Sequence, residues 1–173
     1  MDSLPSNDPY DRIYGGYANT DGGIARGVEA SFAVSPARML NVKAAYTFTD
    51  ARETNPIIAG IYQTFITPDH QFSLLATGQI TPALSVVFGA VLSSNYLAPI
   101  YYSDPVTYAY TSQAFRFNGY RKGQIGASYR KPLGETRAMR LFVNVNNAFN
   151  QSYYESGYRT PDATAMSGVQ FDF

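Results

Sequence analysis

Apolar and polar residues alternate with period two over most of this chain. Val28, Ala30, Phe32 and Val34 alternate with Glu29, Ser31 and Ala33. Leu40, Val42, Ala44, Tyr46 and Phe48 alternate with Asn41, Lys43, Ala45, Thr47 and Thr49. Phe72, Leu74, Ala76 and Ile80 share a side opposite Gln71, Ser73, Thr77 and Gln79, and Leu84, Val86, Phe88, Ala90 and Leu92 lie opposite Ser85, Gly89 and Ser93. Ile125, Ala127 and Tyr129 then alternate with Gln124, Gly126, Ser128 and Arg130, and Leu141, Val143 and Val145 with Asn144 and Asn146. Val169, Phe171 and Phe173 alternate with Gln170 and Asp172 to the last residue. Successive side chains of a strand point to opposite faces, so each stretch predicts a strand with one apolar and one polar side. A weaker stretch, Tyr10–Ala18, would make eight strands of these seven.

The predicted connections sort by length. Ser35–Arg38, Thr81–Ala83 and Lys131–Met139 are short; Arg52–Thr67, Leu97–Gln113 and Gln151–Ala163 are long. They alternate along the chain, so all long connections fall at one end of an up-and-down meander. That is the pattern of bacterial outer-membrane barrels, with short periplasmic turns and long outer loops. A β-sandwich also alternates but need not sort its loops.

Composition agrees. Aromatics make up 15% of the 173 residues, with 15 Tyr, 11 Phe and no Trp; charged residues are also only 15%, against about 25% in a usual soluble domain. Mean hydropathy is −0.20, as expected where only alternate residues face lipid. No run approaches the roughly 18 apolar residues of a membrane helix. No secretory leader is visible at Met1-Asp2-Ser3-Leu4-Pro5, so a leader removed earlier, or a longer parent chain, is expected. The absence of cysteine excludes disulfides and thiolate metal sites. A formal net charge of +0 offers nothing to nucleic acid.

The final residues resemble the β-signal read by the barrel-assembly machinery: Gly168, then Phe171 and Phe173, with Met166 standing where the signal has a polar residue. Further segments resemble the C-terminal part of the barrel of TonB-dependent outer-membrane receptors. These are Gly27-Val28-Glu29, Ala45-Tyr46-Thr47-Phe48-Thr49-Asp50-Ala51, Pro68-Asp69-His70-Gln71-Phe72-Ser73-Leu74, and above all Leu141–Asn150 followed by Tyr153-Tyr154-Glu155-Ser156-Gly157-Tyr158. Their order and spacing also match, over roughly residues 10 to 173. Pro161-Asp162-Ala163 departs from the family's proline-glycine-arginine.

The resemblance implies a bacterial outer-membrane location and a barrel domain, residues 1–173, that would form part of a wall of about 22 strands around a plugged lumen. It implies uptake of a siderophore or similar scarce nutrient. No plug and no TonB box is recognised here, so active transport would need a plug and further receptor strands from elsewhere. Outer-membrane lipid and the assembly machinery are the other implied partners. Two alternatives stay open: a small stand-alone outer-membrane barrel with a structural or binding role, in which Glu29, Lys43, Arg130 and Asp172 pair inside, and a soluble lipocalin-like binder.

Tyr supplies stacking area and a hydroxyl at low entropic cost. In the long connections Tyr101, Tyr102, Tyr108, Tyr110, Tyr153, Tyr154 and Tyr158 are therefore the candidate ligand contacts, while Tyr96 is expected to be a membrane-interface anchor. His70, the single histidine, excludes a histidine cage and is expected near the interface. Ser73 falls on the opposite side of its strand, and no nucleophile elbow, phosphate loop or dinucleotide fingerprint is present. No enzymatic activity, metal or cofactor is expected.

Overall fold

The computed structural model describes residues 22–56, 58–108, 110–155 and 158–173; the stretch Tyr10–Ala18 lies outside them. Seven strands form one antiparallel sheet: β1 (Gly23–Ala37), β2 (Leu40–Glu53), β3 (His70–Gln79), β4 (Leu84–Ser93), β7 (Arg121–Pro132), β8 (Ala138–Asn146) and β11 (Thr164–Asp172), side by side in that order. All seven strands expected from the alternation are present. Between β4 and β7 lies a separate hairpin, β5 (Tyr96–Ser103) and β6 (Tyr110–Phe117); between β8 and β11 lies a short pair, β9 (Tyr154–Glu155) and β10 (Tyr158–Arg159).

The register runs across the wall with one shift, between Val34 and Ala37 at the turn end of the β1–β2 pair. Phe32, Ala44, Leu74 and Ala90 follow one another on the apolar face, as do Phe88, Ile125 and Val145. Gln79, Ser85 and Ser128 do so on the other face, as do Gly89, Gln124 and Asn146. A slip of one residue in any pair would mix the two faces. The wall has almost no core of its own. Ala44 and Ala90 are buried between larger neighbours, whereas Val28, Phe32, Ile125, Val143, Val169 and Phe171 are exposed across the apolar face. A patch of this extent on one side of a sheet calls for a cover, and barrel walls are covered by lipid.

Period two does not say which face is inside; curvature does. Two hollows, of ≈ 510 and ≈ 650 Å³, both lie against the polar face, the first lined by Asn41, Thr77, Gln79 and Asn144, the second by Ser31, Lys43, Ser73 and Gln124. The sheet is concave toward its polar side. A soluble lipocalin-like binder requires the reverse, an apolar interior. Aromatics on the convex side form two bands. Tyr46, Phe48, His70 and Phe72 are neighbours at the long-loop end, with the Tyr46 hydroxyl 2.8 Å from His70 Nδ1 and the Phe48 and His70 rings 5.2 Å apart. Tyr129, Phe171 and Phe173 lie toward the short-turn end, the last two rings stacked at 6.5 Å. Such bands mark membrane interfaces.

Among the described residues β1 and β11 are the sheet's edges and do not pair with each other. As first and last of seven alternating strands, they run in the same direction. Laid edge to edge they would be parallel, so antiparallel closure needs an odd number of further strands between them. One strand satisfies this, and so does the larger odd number of a wide wall.

Gly168 has a local role. It faces Phe142 across the β8–β11 pair, and a Cβ there would stand 2.6 Å from Phe142 Cζ. The ring covers the glycine on the concave face. Gly168→Ala is expected to swing Phe142 into the lumen and cost about 1 kcal/mol. Urea midpoints in detergent check this, and the Phe142→Ala background should remove most of the difference.

Candidate functional site

All three long connections meet at one end of the wall, and they lock together around Tyr96. Residues 97–113, expected as a loop, instead form most of the β5–β6 hairpin. Pro99 fits because a two-stranded ribbon leaves every second N–H pointing off the pair. Leu97 O accepts the Ile66 N–H of the first connection at 2.7 Å, beside the buried Phe65. The Tyr96 ring stacks on Phe117 with centroids 5.6 Å apart, and its hydroxyl donates to Tyr154 O of the third connection at 2.7 Å. At 6% exposure Tyr96 is a buried pillar. It is not the lipid anchor expected from its place at the strand end, because the hairpin turns it inward against the neighbouring connections.

The candidate tyrosines are distributed as follows. Tyr101 and Tyr102 are adjacent on β5 and so point to opposite faces of the hairpin; both are exposed. Tyr110 begins β6 opposite Ser103. Tyr108 sits at the tip, 81% exposed and with φ of 56°. Tyr158 is equally exposed on β10, and Tyr154 is exposed on β9. The first group therefore does not form one surface.

Tyr153 belongs to a tighter arrangement, in which two residues not singled out from the sequence take part. Its ring centroid is 5.6 Å from that of Tyr120, and Lys122 Nζ stands 4.9 Å from the Tyr120 centroid and 5.0 Å from that of Tyr153. Lys122 opposes Val91 on the polar side, at the outer rim of the concave face. An ammonium over two aromatic faces is attracted by both quadrupoles. The group presents one positive charge and two stacking faces, a combination suited to an anionic, partly aromatic ligand. The alternation that put Gln124 on the polar side extends to Tyr120 and Lys122 and was the available signal; the approach of Tyr153, some thirty positions away, had none.

The end of the family-like segment Leu141–Asn150, together with Gln151, is a structural clamp. Asn147 and Asn150 each take φ of 49°, a left-handed conformation that asparagine tolerates better than most residues. Asn147 Nδ2 donates to Gln151 O at 3.1 Å and Pro161 O at 3.0 Å, and Oδ1 accepts from Gln151 N at 3.3 Å. Asn150 Oδ1 accepts the Ala163 N–H at 2.9 Å, and Gln151 Oε1 the Arg121 N–H at 2.6 Å. Phe149 folds over Gly123, where a Cβ would meet its ring at 3.0 Å. The departing segment Pro161-Asp162-Ala163 is held as well, since Arg159 Nη2 donates to Asp162 Oδ1 at 3.0 Å.

At the hairpin tip Asp104 Oδ1 accepts the N–H groups of Val106 and Thr107, both at 2.8 Å. The Thr107 N–H, then that of Val106, hold this carboxyl below the usual carboxylate range. A depressed folded pKa means stabilisation that is present above the ordinary value of 3.8 and is lost as pH falls through the folded one. Protection factors at Val106 and Thr107, corrected for the intrinsic pH dependence of amide exchange, are expected to fall as pH drops through the lowered Asp104 pKa, and to be low throughout in Asp104→Ala.

His70 and Ser73 lie on opposite faces of β3, with His70 beside Phe48 and Ser73 beside Ala45. Among the described residues no three His, Asp or Glu side chains lie close enough together to hold a metal ion.

No family model matches the chain, and no curated protein matches it in sequence. Solved structures do match in fold. The ferripyoverdine receptor of the outer membrane of Pseudomonas aeruginosa, bound to ferripyoverdine, superposes with a TM-score of 0.67 at 22% identity, over 87% of this chain and 20% of that one. The ferric-catecholate import receptor from E. coli K12 superposes with a TM-score of 0.59 at 22% identity, over 86% of this chain and 21% of that one. The chain thus has the fold of an outer-membrane receptor barrel wall and spans about a fifth of the length of such receptors. The resemblance to TonB-dependent receptors holds at the level of fold.

Proposed function

We propose that this chain forms part of the outer-membrane wall of a TonB-dependent receptor for a ferric siderophore or similar nutrient, and contributes to its outer binding surface. The observation that carries the reading is the wall itself: a convex apolar face between two aromatic bands, a concave polar face, and every long connection at one end. Lys122 with Tyr120 and Tyr153 is the contact nearest the lumen, while Tyr101, Tyr102, Tyr108, Tyr110, Tyr154 and Tyr158 lie on the hairpin and loop above it. Gly168, Phe171 and Phe173 on the last strand serve as the assembly signal. Energy-coupled transport belongs to the complete receptor, with a plug and further strands. The role is binding and passage, not catalysis.

Tyrosine is the chain's sole strong intrinsic fluorophore, since tryptophan is absent. The full chain, folded in detergent, is titrated with ferripyoverdine and with a ferric catecholate while tyrosine emission is followed. Saturable quenching is expected for at least one, weakened about tenfold in Lys122→Ala with Tyr153→Ala, the scale of two cation–π contacts. Quenching that is linear and unchanged in the double variant would remove the ligand-binding reading.

A further inference from the structure

The short-turn end of the concave face carries a concentration of positive charge that the receptor-wall reading does not explain. Arg130 of β7 and Arg140 of β8 are direct cross-strand partners on the polar face. Like charges placed opposite each other oppose pairing, and both side chains are exposed. Beyond Arg140 in the same row comes Gln170, which offers no charge. The carboxylate further along β11, Asp172, takes a hydrogen bond from Gln170 Nε2 at 3.0 Å, and among the described residues it forms no ion pair with either arginine.

The adjoining hollow of ≈ 510 Å³ is lined by Arg38 and Arg140 together with amides and hydroxyls such as Asn41, Gln79, Ser128 and Asn144. No carboxylate lines it. Around this rim Arg38, Arg130, Arg137 and Arg140 stand beside the acidic side chains of Glu135 and Asp172, while Lys131, opposite Met139, lies on the apolar face. At the opposite end acids and bases are mixed, and ion pairs form within the connections, Arg52 with Asp50 and Arg159 with Asp162. The imbalance is therefore specific to one rim of the concave face.

We propose that Arg130 and Arg140, with Arg38, form a docking site on the lumen wall for an acidic polypeptide segment. The inference rests on the reading of the concave face as a lumen. A peptide suits the site better than a lone small anion. The two exposed cations lie side by side across one strand pair, so each can take one carboxylate of a segment laid over them, and the polar floor beside them supplies donors and acceptors for a backbone.

The test uses the full chain in neutral detergent and a fluorescein-labelled oligoglutamate peptide, with oligoglutamine and inorganic phosphate as comparisons. Anisotropy is expected to report oligoglutamate binding that weakens with added salt and falls about tenfold or more in Arg130→Gln with Arg140→Gln. Arg26→Gln, on the opposite face of the wall, should bind within about twofold of the parent. The double variant should melt no lower than the parent, because it relieves a repulsion. If it melts lower, Arg130→Lys with Arg140→Lys, which keeps the charge, is compared with it and should retain most of the binding. Unchanged binding in the glutamine variant, equal loss in the lysine variant, equal binding of oligoglutamine, or competition by phosphate at equal charge (an adventitious anion only) would each overturn the proposal. Insertion into lipid is scored separately, so failure of the receptor-wall reading shows as a chain that does not insert, whatever its peptide affinity.

Discussion

Ile125→Arg is expected to destabilise the folded chain in lipid by about 2–4 kcal/mol, whereas Gln124→Arg next to it should cost almost nothing. Ile125 lies between Phe88 and Val145 on the convex face and is 51% exposed. Away from lipid that exposure would let a charge reach water. In a bilayer it forces a guanidinium into hydrocarbon, with relief only by snorkelling or local thinning. Gln124 faces the polar hollow of ≈ 650 Å³, where a longer cation finds water and polar neighbours. Urea unfolding of both variants in lipid vesicles measures the difference. The contrast in detergent should be smaller, because micelles adapt to a buried charge more easily. Equal costs in lipid would mean that the faces are not distinguished by the membrane.

The second large effect concerns the clamp. Asn147→Ala removes two donated bonds and one accepted bond, each contributing about 0.5–1.5 kcal/mol. It also puts alanine at φ of 49°, at about 1 kcal/mol more. Together a loss of about 2.5–5.5 kcal/mol is expected, felt mainly as release of the connection after β8 from β7. Asn147→Gly loses the same bonds but suits the backbone, so it should recover about 1 kcal/mol relative to alanine. Proteolysis between Gln151 and Ala163 and the thermal midpoint read the two parts. If alanine and glycine behave alike and near the parent, the clamp does not hold the loop.

The wall was legible because each of its strands has one face toward a polar hollow and the other toward an apolar surround, which writes period two directly into the residues. Loop lengths then gave the two ends. The β5–β6 hairpin was not legible. Leu97–Gln113 read as one long connection, and a ribbon covered by neighbouring connections has no single apolar side to reveal it. Tyr96 was misread for the same reason: its burial comes from Phe117 and the backbone of Tyr154, which sequence proximity does not connect. The direction of curvature is likewise not encoded by alternation, since the same pattern serves a soluble barrel turned inside out. The family resemblance rested most on Leu141–Asn150. Its physical content, two left-handed asparagines and a web of amide bonds, emerged only from the geometry.

The central claim is that the apolar face of this wall meets lipid and the polar face does not. The chain has no cysteine, so Ile125→Cys and Gln124→Cys each carry a single environment-sensitive label in vesicles with brominated acyl chains. Strong quenching and a blue-shifted emission at position 125, with neither at 124, is the predicted result. Equal quenching at both positions, or quenching at 124 alone, would contradict it.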